Sequence, residues 1–152
     1  MPSALIAAVL VFATAFIGSR YRPGDWYAGL AKPSWTPPGW VFAPVWTLLY
    51  IAIAVAGWLA WRASRRIDPA LCFWLAQLVF NAGWSWLFFG RHRPGAAVID
   101  IVLLLACIVG FIVAVRPVSA AAAILFVPYG AWVAFASLLN VAIWRLNAGG
   151  RP

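Results

Sequence analysis

The sequence predicts an all-α membrane protein, a single bundle of five transmembrane helices with a long first loop rich in proline and tryptophan. The first observation is composition: 66% of the 152 residues are apolar, and the mean hydropathy of +0.94 is too high for a soluble core. The second is that only eleven basic and three acidic side chains are formally charged, and they separate five apolar runs. The third is run length, because a helix needs about 20 mostly apolar residues to cross roughly 30 Å of hydrocarbon.

Each apolar run gives one predicted helix, and arginine or proline lies in every connection between them. Three of these connections are too short to form a domain, so residues 1–152 are predicted to be one domain. The predicted helices cover about 3–20, 43–62, 69–90, 95–115 and 118–145.

Residues 21–42 form the one long connection. Four prolines and three glycines in this segment rule out a continuous helix. Between them, residues 25–30 have the composition of a short interfacial helix, for which Asp25 is the expected N-cap.

The net charge of +8 raises the question of a nucleic-acid partner. The basic residues flank apolar runs instead of forming a patch, so they are interpreted as membrane-edge arginines and no nucleic acid is expected. With five spans, the long loop and the C-terminus share one face that carries seven cations, against four on the other face. The positive-inside rule then predicts that the long loop and C-terminus are cytoplasmic.

Polar and aromatic residues of four predicted helices lie at a similar depth beneath the long loop. At 1.5 Å per residue, six of them lie roughly 5 to 14 Å from the loop-side membrane face: Trp46, Tyr50, Asn81, Trp84, Asp100 and Asn140. Trp132 lies at about 18 Å, near the midplane. Such residues face either a cavity or one another in interhelical hydrogen bonds, and spacing alone leaves both alternatives open.

Two further features have structural interpretations. Asp100 is the only acid within a predicted span, and it is expected either to pair with Arg91 or Arg93 or to accept hydrogen bonds from indole N–H groups. Rows of small residues, such as the one through Gly110, allow close helix approach within or between protomers. No Ser/His/Asp set, metal-ligand cluster or nucleotide-binding loop is present in the sequence, which excludes ordinary hydrolytic or metal chemistry and predicts no metal site.

Three segments of the chain carry long motifs rich in tryptophan and proline or in aromatic and amide residues. The first loop and second-helix start carry WYAGLAKPSWTPPGWVFAPVW (26–46). The third and fifth helices carry AQLVFNAGWSWLFFG (76–90) and FVPYGAWVAFASLLNVAIWRLN (126–147). These segments resemble the tryptophan-rich sensory protein/translocator protein (TspO) family, also described as peripheral benzodiazepine receptor-like. The resemblance covers nearly the whole chain, and a run as long as KPSWTPPGW is highly specific.

The resemblance implies a five-helix bundle, often a homodimer in the lipid bilayer, that binds tetrapyrroles such as protoporphyrin IX and haem. The porphyrin would be a ligand, and no other cofactor is implied. Carried over residue by residue, the family's ligand pocket would be lined by eight positions of this chain: Tyr27, Pro38, Trp46, Tyr50, Asn81, Trp84, Trp132 and Ala136.

The sequence leaves three functions open. The first is a membrane receptor or sensor that regulates tetrapyrrole or stress metabolism. The second is an enzyme for light- and oxygen-dependent porphyrin degradation, in which Trp46 and Trp132 match the family positions tied to catalysis. The third is a transporter of tetrapyrroles or other lipophilic ligands. The segment 139–145 has no tyrosine where animal members carry a sterol motif, which favours a bacterial member. If that member lies in the inner membrane, the long loop and the C-terminus are predicted to be cytoplasmic.

Overall fold

The computed structural model describes residues 2–149 of the chain, and within this range the protein is entirely helical, as predicted. No strand is found among these residues. Six α-helices are present in them: α1 (Pro2–Ser19), α2 (Asp25–Gly29), α3 (Phe42–Ser64), α4 (Pro69–Ser85), α5 (Pro94–Val115) and α6 (Ala120–Asn147).

Four helical stretches in residues 2–149 are long and apolar enough to cross a membrane: Gly39–Ser64, Pro69–Gly90, Pro94–Val115 and Ala120–Asn147. The apolar part of α1, Ser3–Ser19, is shorter. At 1.5 Å per residue it extends for roughly 26 Å, somewhat less than the roughly 30 Å hydrocarbon layer. The spans therefore make this an integral membrane protein, while the predicted count of five depends on α1 and stays a prediction.

The helices surround a common centre. Helix α1 packs against α3 and α4, α3 packs against α6, and α5 packs against both α4 and α6. This order closes a ring of α1, α3, α6, α5 and α4. The side chains of Ile53, Ile108, Phe111, Phe126 and Tyr129 are fully buried inside it.

Local signals explain where several helices begin. The Asp68 carboxylate accepts a hydrogen bond from the Leu71 amide at 2.9 Å, which caps α4, and Ser119 caps α6 in the same way. At α2 the expected cap is wrong. Gly24 is the N-cap residue there and Asp25 is the first helical residue, with no side-chain hydrogen bond to the helix end.

The predicted third helix, 69–90, changes character before its end. Residues Trp86–Gly90 form a π-helical turn that continues α4, and the Arg91 amide donates to the Trp86 carbonyl at 2.8 Å. A π-turn holds more residues per turn than an α-helix, so the side chains after Ser85 are rotated from their α-helical directions.

Two glycines allow close packing of helices within the chain. A Cβ atom on Gly57 would lie 2.2 Å from the Trp74 ring, whose Nε1–H donates to the Ile53 carbonyl at 2.9 Å. A Cβ atom on Gly110 would lie 2.7 Å from the Phe73 ring. Gly110 thus allows α5 to pack closely against α4 within one protomer.

Replacing Gly57 with alanine is expected to destabilise the bundle by about 1–3 kcal/mol, because the Trp74 ring has no room to move without losing its hydrogen bond. The measurement is thermal or denaturant unfolding in detergent. Gly29→Ala is the matched control, since a Cβ there meets no atom within 4 Å. Equal stability of the two variants would contradict this account of the α3–α4 contact.

Candidate functional site

A cavity of about 570 Å³ lies between the long loop (residues 20–41) and the loop-side half of the bundle. All five long helices contribute to its lining, which includes Gly18 of α1, Trp46 of α3, Trp84 of α4, Leu104 of α5 and Trp132 of α6. Small-ligand sites in proteins usually have volumes of about 300–1,000 Å³. The cavity has the size of such a site.

The structure brings most of the sequence-predicted site residues together. Seven of the eight line this cavity: Tyr27, Trp46, Tyr50, Asn81, Trp84, Trp132 and Ala136. Pro38 does not line it, although its neighbours Pro37 and Gly39 do. The loop therefore covers the cavity at the expected place but with different residues of the Pro-Pro-Gly turn.

Aromatic neighbours hold the two tryptophans named as catalytic candidates. The Trp46 ring lies 5.3 Å from the Tyr50 ring and 6.3 Å from the Tyr129 ring, centroid to centroid. Trp132 packs against Phe42 and Phe135, each at 5.7 Å. Among residues 2–149, neither indole N–H has a hydrogen-bond acceptor, so both are available to a cavity ligand.

Trp84 differs from these two tryptophans. Its Nε1–H donates to the Asn140 Oδ1 atom at 2.9 Å, and the Asn140 amide donates to the Pro94 carbonyl at 3.0 Å. This pair ties α4, α6 and the start of α5 together beside the cavity. Trp84 thus lines the cavity while its N–H group stabilises the bundle.

A second set of hydrogen bonds crosses the inner end of the cavity. The Tyr50 hydroxyl donates to Asn81 at 3.0 Å, Asn81 to the Tyr129 hydroxyl at 2.8 Å, and Tyr129 to Gln77 at 2.9 Å. The two alternatives left open by the sequence are therefore both realised. Interhelical hydrogen bonds form the wall of a cavity.

The outer end of the cavity is basic. Arg22 and Lys32 line it, and no carboxylate of residues 2–149 does. The Lys32 ammonium donates to the Ala28 and Leu30 carbonyls at 3.2 and 3.0 Å and lies 4.6 Å from the centre of the Tyr27 ring. Burial raises the pKa of Tyr27, so its phenol stays neutral at physiological pH.

Among the contacts that hold the long loop over the cavity, one lies at α2 and another at the end of α6. In the first, α2 packs Trp26 and Tyr27 edge-on against Phe88, with centroids 5.8 and 6.1 Å apart. In the second, the Asn147 carboxamide at the end of α6 pairs with both backbone groups of Ala31, at 3.1 and 2.9 Å. The loop is thereby fixed to the ends of two helices that are distant in sequence.

Sequence reasoning missed the contribution of α1 and of Tyr129. Ala15, Gly18 and Ser19 line the cavity, and small or β-branched residues precede them on the same helix face at Ala7 and Val11, which are buried. That four-residue spacing of small side chains was the available signal. Tyr129 was named only as part of a family-like segment.

Asp100 lies outside the cavity, between α5 and α4. Its Oδ1 atom is 3.0 Å from the position a Cβ on Gly83 would occupy, and its buried Oδ2 atom has no hydrogen-bond partner in residues 2–149. The expected pairing with Arg91, Arg93 or an indole N–H is therefore not observed among those residues.

The fold and the cavity define a class: a helical integral membrane protein with a ligand-sized, aromatic cavity beneath a Pro/Trp-rich loop. Residues 4–145 match the model of the TspO/MBR family. The chain belongs to this family, as the resemblance of its loop and helix segments indicated.

Relatives with matching sequences occur in animals and bacteria. The human Translocator protein is 41% identical over 144 residues, which cover 90% of this chain and 85% of the relative. The Tryptophan-rich protein TspO of Chlorobaculum tepidum is 43% identical over 145 residues, with 91% of both chains covered. The Tryptophan-rich sensory protein of Cereibacter sphaeroides is 36% identical over 137 residues, with 89% and 85% covered.

Replacing Asn147 with alanine is expected to loosen the long loop, because both hydrogen bonds to Ala31 are lost. Amide hydrogen exchange should accelerate about three- to tenfold at Ala31, the value expected for the loss of two exposed hydrogen bonds. The same acceleration is expected at Thr36, whose amide bonds to Pro33 within the loop. Leu146→Ala, at an exposed neighbouring position, is the control. Acceleration at Ala31 alone would show that Asn147 does not hold the loop as a unit.

Proposed function

We propose that this protein is a membrane receptor that binds porphyrins, protoporphyrin IX or haem, in the cavity under the long loop and regulates tetrapyrrole or stress metabolism. The observation that carries the proposal is the combination of indole walls with a basic outer end. Trp46 and Trp132 line the inner part, while Arg22 and Lys32 line the outer part.

Each part of the cavity suits one part of a porphyrin. A flat macrocycle packs well on indole and phenol faces, which provide large rigid apolar contact. Its propionates need cationic partners, and charge-assisted hydrogen bonds from Arg or Lys are the stronger kind. The free N–H groups of Trp46 and Trp132 add a few orienting donors. The name of the Cereibacter sphaeroides relative, a sensory protein, supports a signalling role.

A photo-oxidative enzyme is the second candidate. The observation that favours it is the position of Trp46, an oxidisable indole that lines the cavity and lies 5.3 Å from a second oxidisable ring, Tyr50. Illumination of a porphyrin complex in air separates the two functions. A stable new chromophore favours the enzyme, and an unchanged spectrum favours the receptor.

The name Translocator protein of the human relative keeps transport as a third candidate.

For the membrane arrangement we propose five spans, with α1 as the fifth and with the long loop and C-terminus cytoplasmic. Large side chains of α1 such as Leu5 and Phe12 point away from the bundle, 67% and 71% exposed, as expected for a helix in contact with lipid. The excess of cations on the loop side supports the orientation. A homodimer is proposed from the family resemblance alone.

Trp132→Ala is expected to weaken protoporphyrin IX binding about five- to a hundredfold, by analogy with ring-stacking losses of about 1–3 kcal/mol. Optical titration in the dark measures this change. Trp144→Ala is the matched control, because Trp144 is 42% exposed and lies outside the cavity. Equal losses in the two variants, or no loss in either, would place the porphyrin elsewhere.

Single cysteines test the topology in a background with Cys72 and Cys107 replaced by serine. Impermeant maleimide should label Gly29→Cys and Gly149→Cys from the cytoplasmic side, and Ser3→Cys and Ser64→Cys from the other side. Labelling of position 3 from the same side as position 29 would show that α1 does not cross. Labelling of positions 29 and 64 from one side would contradict α3 as a span.

A further inference from the structure

Three buried side chains and the partly buried Tyr50 form a hydrogen-bonded chain that starts at the cavity and ends on a backbone carbonyl. From the cavity it runs through Tyr50, Asn81, Tyr129 and Gln77, with heavy-atom distances of 3.0, 2.8 and 2.9 Å between successive members. The last step is a bond of 2.9 Å from the Gln77 amide nitrogen to the Trp74 carbonyl.

The final carbonyl fixes the direction of every bond in the chain. A carbonyl only accepts, so the Gln77 NH₂ group must face Trp74 and the Gln77 oxygen must face Tyr129. The Tyr129 hydroxyl then has to donate to Gln77, which leaves its oxygen to accept from the Asn81 NH₂ group. The Asn81 oxygen therefore faces Tyr50. These amide orientations follow from hydrogen-bond logic, and reversing any one of them would place two acceptors or two donors in contact.

Because these side chains are buried, water cannot hydrogen-bond to them and stabilise another orientation of the chain. Gln77 and Tyr129 are 0% exposed and Asn81 is 4% exposed. Trp74, which provides the end of the chain, is held against Gly57 and bonded to the Ile53 carbonyl. Reversing one amide would leave a buried polar group without a hydrogen-bond partner, and no new bond would offset that cost in free energy. The amide orientations are therefore fixed.

We infer that the Tyr50 hydroxyl, whose proton is committed to Asn81, acts as a hydrogen-bond acceptor at the inner end of the cavity. Tyr50 and Asn81 are the deepest residues of α3 and α4 that line the cavity, and no residue within 2–149 donates to the Tyr50 oxygen. Gln77 and Tyr129 are positioning residues, because they impose this polarity without lining the cavity.

The acceptor selects a class of ligand, an inference that rests on the proposed ligand-binding function. The preferred ligand is flat and apolar and carries an N–H or O–H donor at the end that reaches Tyr50. A carboxylate, which only accepts, is repelled from that end. An amphiphilic acid therefore binds with its carboxylates outward, at Arg22 and Lys32.

A matched pair of probes tests the inference: carbazole, which is flat and has one N–H donor, and N-methylcarbazole, which has none. Protoporphyrin IX is titrated alongside them. The wild-type protein should prefer carbazole by about two- to tenfold, the value of one neutral hydrogen bond. The preference is compared between the wild-type protein and its variants, so the effect of the methyl group's bulk on binding cancels.

Three variants locate the acceptor. Tyr50→Phe should abolish the preference for carbazole, whereas Tyr21→Phe, a tyrosine outside the cavity, should keep it. Gln77→Met removes the group that fixes the direction of the hydrogen bonds, while the Tyr50 hydroxyl stays in place. The ratio of the affinities for carbazole and N-methylcarbazole should then fall towards one. A merely structural role of Gln77 would lower stability and affinity for both probes equally, without changing their ratio.

The outcomes are distinct. The same ratio of affinities for the two probes in the wild-type protein and in Tyr50→Phe overturns the inference. Retained binding of protoporphyrin IX then leaves the proposed function intact. A preference that persists in Gln77→Met shows that the chain does not set the polarity of Tyr50 and overturns the assignment of Gln77. Failure of protoporphyrin IX and both probes to bind overturns the proposed pocket and the inference with it.

Discussion

No water reaches the middle of a bilayer, so the amides of Gln77, Asn81 and Asn140 have to find their hydrogen-bond partners inside the protein. They find them on other helices. Tyr50 and Tyr129 join α3, α4 and α6 through Asn81 and Gln77, and Trp84 and Asn140 join α4, α6 and the start of α5. These bonds set the relative rotation of the helices, which aliphatic packing alone leaves adjustable. The set from Tyr50 to Gln77 does so at one level of the membrane, the inner end of the cavity.

That level divides the bundle into two layers. Below it the helices make close contacts, with Phe111 against Phe126 at 4.1 Å and Trp74 against Gly57. Above it the helices are held apart by large rings, and the cavity lies between them. The long loop closes this layer with weaker, more exposed contacts, among them the pairing of Asn147 with Ala31. A rigid base thus supports a cavity whose cover is the least strongly held part.

The sequence predicts much of this because charges and prolines mark the helix ends, and distance along a helix gives depth directly. Depth explains why the sequence alone groups Trp46, Tyr50 and Asn81 correctly. Rotation about the helix axis is less visible, so the pairing of Asn81 with Tyr129 was not predicted. Small residues carry no polar or aromatic signal, which hid the part that Gly18 plays. The π-turn after Ser85 and the Gly24 cap were not predicted either.

The close packing of the lower layer has a consequence for how the cavity exchanges its contents. The cavity extends from the long loop to Tyr50 and Asn81, beneath which Tyr129, Phe126 and Phe111 are fully buried. On the proposed binding function, the contents of the cavity exchange on its loop side, away from this packed layer. Passage to the opposite compartment requires the hydrogen-bonded level to break, at the cost of several buried partners at once. Under the proposed receptor function, this packed layer separates the contents of the cavity from the opposite side of the membrane.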